Sequence, residues 1–185
     1  PHLPILTYLA NTTRVGTREI PYSTISAMDV VDFGTLTLTN GTPAPLLSEN
    51  EIFLNTWAAK DLNARVGNEV DIAYYEVGAA EELTTRWKTF RLKGIVAMTG
   101  LGADPTLSPE YPGLQDANDM SAWDAPFPVE LNRFRPKDEA YWDTYRGAPK
   151  AFVSATTGQQ LWQSRFGNLT AIRIGTIPGQ NIETT

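Results

Sequence analysis

Glu51-Ile52-Phe53-Leu54 is a short apolar run of the kind that fills a buried strand, and directly after it the apolar spacing turns helical. Leu54, Trp57, Ala58 and Leu62 stand at i, i+3, i+4 and i+8. The pattern predicts a strand running into a helix from about Thr56 to Arg65, with Gly67 as its left-handed stop. Beyond it Val70, Ile72 and Tyr74 alternate with Asp71, Ala73 and Tyr75, and Phe90, Leu92, Gly94 and Val96 repeat the alternation. Strands with one buried face read this way. The small and polar residues from Gly78 to Glu82 between them predict a long-looped antiparallel hairpin.

The flanking pattern is more broken. Ile5 to Leu9 and Arg14 to Ile20 read as two short strands around an Asn11-Thr12-Thr13 turn, and Pro21 ends the pattern. Tyr22 to Val31 carries Ile25, Met28 and Val31 at helical spacing, but its β-branched content leaves helix and strand both open. Leu36 to Thr39 alternates into Asn40-Gly41, a strong turn signal. From Thr99 to Arg135 the prolines at 105, 109, 112, 126 and 128, with Pro136 just beyond, exclude long regular elements. The aromatic residues Tyr111, Trp123, Phe127 and Phe134 predict that this loop is ordered and packs on the body. Asp138 to Tyr145 suits a turn or two of helix, Ala151 to Ser154 a buried strand, Gly158 to Phe166 a short helix and Leu169 to Ile174 a last strand. The tail from Thr176 to Thr185 is polar and expected to fray.

Composition narrows the class. The chain has 185 residues, 42% hydrophobic and 19% charged, which is the balance of a globular domain rather than a disordered one. A net charge of -6 argues against a nucleic-acid partner, because phosphate binding rests on Lys and Arg. With no cysteine, disulfides, thiol nucleophiles and thiolate zinc sites are excluded together. No run approaches the ~18 apolar residues of a membrane span. The opening Pro1-His2-Leu3-Pro4 has neither Met nor a charged signal head, so a fragment of a longer protein is expected.

Candidate chemistry is sparse. His2 is the one histidine, which speaks against a His-based catalytic triad. Asp104, Asp116, Asp119 and Asp124 gather oxygen ligands in one loop that could hold Ca²⁺, although their spacing fits no EF-hand and solvated turn-forming carboxylates are the plainer reading. The same set with Glu110, Glu130 or Glu139 could supply a carboxylate pair for glycoside hydrolysis. Trp123, Tyr141, Trp142, Tyr145 and Trp162 could form a sugar- or peptide-stacking surface or simply pack the core. Arg133, Arg135 and Lys137 suit ion pairs with Asp138, Glu139 and Asp143 better than a phosphate site. Gly100-Leu101-Gly102 lacks the third glycine and the helix of a nucleotide loop. Asn11, Asn40 and Asn168 head N-x-[ST] triplets that matter only in a eukaryotic secretory pathway.

Several stretches, in order, resemble one family. Asn50 to Asn55, Ala58-Ala59-Lys60-Asp61-Leu62, Val66-Gly67-Asn68-Glu69-Val70 and Phe90 to Val96 are similar to the extracytoplasmic region of FtsX-like permeases. These are the membrane subunits of ABC systems that carry a MacB-type periplasmic core domain. Tyr141-Trp142-Asp143, Pro149 to Ser154 and Ser164 to Thr170 resemble a bacterial subset of the same family, so the likeness covers most of the chain.

The resemblance implies one extracytoplasmic domain over 1–185, with an inserted β-rich lobe at about 66–137. The expected fold class is α+β: a mixed or antiparallel sheet with a few short helices and room for two lobes, one built from discontinuous segments. The implied function is non-catalytic, with no cofactor, no metal and no catalytic residue. Such a domain couples ATP hydrolysis on the cytoplasmic side to engagement of a substrate, a lipoprotein or an envelope partner. The ATPase subunit would act through the full-length permease and not through this segment, which is tethered to the membrane on the periplasmic or extracellular side. The alternative is a secreted carbohydrate- or peptide-binding module using the aromatic loop 111–145, and a third reading is a hydrolase that uses the loop carboxylates.

Overall fold

The alternating stretches become seven strands, six of which close on themselves. The computed structural model describes residues 2–29, 36–78, 82–111, 128–165 and 167–175. In chain order the main elements are β1 (His2–Val15), β2 (Arg18–Ala27), β3 (Glu51–Asn55), α1 (Thr56–Leu62), β4 (Glu69–Val77), β5 (Leu83–Val96), α2 (Pro136–Tyr145), β6 (Ala151–Val153), α3 (Ala155–Trp162) and β7 (Ala171–Ile174). Short 3-10 turns occupy Gly100–Ala103, Pro105–Leu107 and Leu131–Arg133.

The staves run β2-β6-β3-β5-β4-β1, and β1 pairs back onto β2 to close the barrel. Pairing is antiparallel except for β2 with β6 and β3 with β5. β7 lies outside the barrel, antiparallel to the start of β1, with His2 opposite Ile174. Strand makes up 43% of the structure and helix 24%. The α+β expectation, a mixed or antiparallel sheet with a few short helices and room for two lobes, is therefore corrected to a β-dominated closed barrel. The reason is non-local. β1 is long enough to pair with β2 along its length and with β4 near its end, a closure that strand-by-strand periodicity does not encode. β4 and β5, which lie within 66–137, are staves of this barrel.

All six staves contribute to one apolar cluster, which fills the interior: Leu6, Ala10, Ile25, Ile52, Leu54, Val70, Ile72, Phe90, Leu92 and Val153 are among its members. Ala58, Ala59 and Leu62 of α1 and Trp162 of α3 join it. A second cluster outside the wall holds Leu3, Ile5, Met28, Leu36, Phe53, Val96, Leu107 and Phe152.

Two irregularities set which side chain faces which cluster. β5 carries an extra residue, Lys93, where Ile52 pairs with Leu92 but Phe53 pairs with Gly94. A one-residue bulge inverts the faces beyond it. Phe90 and Leu92 point inward, while Gly94 packs toward Phe53 and Leu38 and Val96 joins the outer cluster. The expected single face from Phe90 to Val96 is thus split in two. The second break lies in the β1–β2 ladder, where Asn11 and Tyr22 are missing from the pairing. Tyr22 has φ 41°, a costly conformation for a bulky residue. Inward residues shift parity there, from Ile25 and Ala27 to Ile20 in β2.

Other expectations near the start also change. The Asn11-Thr12-Thr13 segment is no turn but lies within β1, toward its end; the turn falls at Gly16-Thr17, and Pro21 sits inside β2 opposite Thr12. From Tyr22 onward, where the pattern leaves helix and strand both open, the chain is strand as far as Ala27. The first helix ends earlier than predicted, at Asn63 with φ 52°, and Gly67 instead turns the chain into β4 while its N–H donates to Leu92.

Candidate functional site

Strain, aromatic rings and a buried cation meet outside the barrel, next to the Asn11/Tyr22 break. Because the kink turns Tyr22 away from the interior, its hydroxyl accepts a bond from the Glu130 N–H at 2.6 Å. Its ring lies 5.3 Å from that of Phe134, and the Arg133 guanidinium sits 5.3 Å from its centre. Arg133 also donates to the Asn11 carbonyl and the Thr12 hydroxyl. Arg133 thus supplies a partner for the buried Thr12 hydroxyl and the Asn11 carbonyl, whereas the buried Thr13 and Ser23 hydroxyls have no partner among the described residues.

α2 is held by its first turn. The buried Asp138 carboxylate takes the Arg135 backbone N–H at 2.9 Å, Nε at 2.7 Å and Nη2 at 2.6 Å. Arg135 Nη2 also lies 2.8 Å from Asp61 on α1, and Lys137 bonds the same Asp61. Along the helix, Tyr141 donates its hydroxyl to the Ala148 carbonyl at 2.9 Å and accepts from Asn55 Nδ2 at 2.9 Å. Asn55, fully buried, also donates to the Pro149 carbonyl and caps α1 by accepting the Ala58 N–H at 2.7 Å. One side chain thus ties β3, α1, α2 and the approach to β6 together.

The chain leaves α2 through Arg146, whose φ of 52° and ψ of -133° are sterically unfavourable for a residue with a side chain. Gly147 follows, and the segment turns back to place Lys150 beneath the helix. The Lys150 main chain bridges two staves, donating to Thr24 and accepting from Asn55. Its side chain is buried, with Nζ 4.7 Å from the ring centre of Trp57 and 4.7 Å from that of Tyr141. Burial is the chief cause that pulls its pKa from 10.5 down to about 8; Asp138 and Asp61 oppose that pull and Arg135 adds to it. Burial likewise raises the Tyr141 and Tyr111 hydroxyls above the usual phenol range.

Between these parts lies a cavity of about 30 Å³, lined by Leu9, Tyr22, Thr24, Tyr111, Asp138, Tyr141, Trp142, Arg146, Lys150 and the Gly147-Ala148 segment. It has room for about two waters. Tyr22 and Arg146, two of the three described non-glycine residues with positive φ, both line it.

The sequence candidates divide. Tyr141 and Trp142 reach this cavity, and the Tyr145 ring lies 5.1 Å from that of Tyr141. Trp162 does not: it stacks on Tyr8 at 5.1 Å within the interior cluster. Trp123, Phe127, Asp116, Asp119, Asp124 and the 176–185 tail lie outside the described residues. Asp104 caps the Pro105–Leu107 turn and pairs with Arg173 at 2.7 Å. Among the described residues no three His, Asp or Glu side chains gather to hold a metal. Glu110 and Glu130 are exposed, His2 is an exposed β1 residue, Gly100-Leu101-Gly102 is a 3-10 turn, and Arg133, Arg135 and Lys137 form ion pairs. Asn11 is buried in β1.

Sequence reasoning missed Tyr22, Asn55 and Lys150. Lys150 left one signal, a lysine abutting the apolar Ala151-Phe152-Val153 run. No family model and no curated protein matches the chain.

Proposed function

We propose that this chain is a non-catalytic extracytoplasmic domain of an FtsX-like ABC transporter permease, coupling cytoplasmic ATP hydrolysis to engagement of a substrate, lipoprotein or envelope partner. The ordered likeness from Asn50 to Thr170 motivates the reading. The structural observation that supports it most is the closure of six strands into one barrel around a continuous apolar interior. Coupling of that kind needs a rigid body, and a closed barrel moves as one piece. A secreted carbohydrate- or peptide-binding module is the second reading, favoured by the aromatic walls of the cavity.

Topology separates the two. The chain has no cysteine, so a single cysteine placed at exposed Thr39 in the full-length protein gives a unique label site within it. Reaction with a membrane-impermeant maleimide in intact cells, on a membrane-bound product that co-purifies with an ATPase, is the expected result. Label only after lysis, or release of the whole product to the medium, would overturn the permease reading.

A further inference from the structure

We infer that the cavity between α2 and the β1–β2 break is a binding subsite for one carboxylate group, with the Lys150 ammonium as its principal donor. The inference goes beyond the permease reading and stands without it, because it rests on the cavity alone.

An ammonium carries three N–H donors and no acceptor. Lys150 is 5% exposed, lines the cavity, and among the described residues no oxygen accepts from its Nζ; only the Trp57 and Tyr141 ring faces meet it. The acceptors nearby are already engaged. Both Asp138 oxygens are taken by Arg135, the Ala148 carbonyl receives Tyr141, the Gly147 carbonyl receives Ser108, and the one Thr24 hydroxyl proton is shared between those two carbonyls. The carboxylate that does line the cavity, Asp138, is bound by Arg135, so it leaves the Lys150 ammonium without an anion bonded to it among the described residues. The lining holds two cations, Lys150 and Arg146, the latter exposed above the Trp142 ring, against the one carboxylate of Asp138, which is already paired with Arg135, so the balance of the wall favours negative charge. Size selects the class: space for about two waters matches the two oxygens of a single carboxylate, while the Tyr22, Tyr141 and Trp142 rings flank the carbon to which it is attached. Arg146 and Tyr22 hold strained backbone at this same cavity, a place where folds keep costly conformations that serve a site.

The test uses sodium acetate as the probe, compared with sodium chloride at equal ionic strength. The Cε carbon of Lys150, followed by NMR in isotopically labelled protein, reports its titration directly. Acetate is expected to raise the midpoint of that titration, to raise the melting temperature of the wild type, and to lose affinity about tenfold per pH unit above the free-state midpoint. In Lys150→Met the acetate-specific rise is expected to vanish. A titration midpoint indifferent to acetate, or an equal rise in Lys150→Met, would overturn the assignment and leave the cavity to water. If acetate binds, competition by an acetylated dipeptide with a free C-terminus assigns the group to a peptide partner, and failure to compete assigns it to a small free acid; either rank order upholds the carboxylate site.

Discussion

Gly158→Ala tests the packing of α3 on the barrel. In an isolated helix the change would stabilise by about 0.8–1 kcal/mol through propensity. In this fold a Cβ at 158 would stand 2.0 Å from the Ala27 Cβ on β2, and that atom cannot rotate away. Carbon atoms rest at about 3.5–4.0 Å, so α3 must retreat by roughly 1.5 Å. Trp162, one turn further on, would be drawn off the face of Tyr8, where it stacks at 5.1 Å and 9°. Overpacking of a rigid site costs about 1–3 kcal/mol, and losing part of the Trp162 burial adds to that. The net expectation is about 2 kcal/mol of destabilisation, a drop of roughly 4–8 °C in melting temperature for a domain of this size. Thermal unfolding followed by circular dichroism and tryptophan fluorescence measures it, with Thr156→Ala on the exposed face of α3 as the control for propensity. A Gly158→Ala protein as stable as the control would refute the close contact and the placement of α3.

Two other outcomes follow from the site. Asn55→Ala removes the α1 cap and both bonds donated to Tyr141 and Pro149, so a loss of about 2–4 kcal/mol in denaturant unfolding is expected, with Asn55→Asp recovering only the cap. For pH, the folded Lys150 pKa lies below its unfolded value of 10.5, so the unfolded chain binds more protons between about 8 and 10.5 and stability rises with pH across that window. Below about 8 the full penalty, about 3 kcal/mol, is present. Tyr8, raised from 10.0 to about 12 chiefly by burial, acts oppositely: its contribution is whole below 10 and is lost above it as the unfolded phenol ionises first. Wild-type stability is therefore expected to peak between pH about 8 and 10, and Lys150→Met to abolish the rising limb; a parallel profile in the variant would contradict the buried ammonium.

How much of this was legible depends on the range of the interaction involved. β3 into α1, the β4–β5 hairpin and β6 were readable because each is specified by its own apolar spacing, while the spacing places the last helix late, at Gly158 to Phe166 where it runs Ala155–Trp162. Barrel closure was not, since β1 and β2 meet β4 and β6 through pairs that no local pattern records. The Lys93 bulge is invisible in an alternating run, where Gly94 and Val96 look like the continuation of Leu92. Asn11-Thr12-Thr13 looked like a turn because polarity ordinarily means solvent; here Arg133, more than a hundred residues later, reaches the Asn11 carbonyl and the Thr12 hydroxyl. The site was less legible than the fold. Tyr141 and Trp142 could be singled out as aromatics, but their partner Lys150 is a lone basic residue in sequence, and only the return of the chain through Gly147 brings it beneath α2.

The mechanical consequence lies in how differently the two parts are held. The barrel is closed by six paired staves around a continuous apolar interior, so any change of its shape must break ladder bonds and expose core together. α2 buries only two of its ten side chains, Asp138 and Tyr141, and both are held by polar partners. Its attachment rests on Arg135 with Asp61 and Asp138, and on Tyr141 with Asn55 and Ala148. Elements with few buried apolar contacts open at lower free energy than a barrel core. A force or ligand acting on this protein would therefore shift α2 before it deforms the barrel, and the residue that shift uncovers is Lys150. If the domain transmits a conformational signal, the α2 face is where a partner bearing a carboxylate would sense or bias it, because the same contacts that dock the helix also shape the ammonium's surroundings.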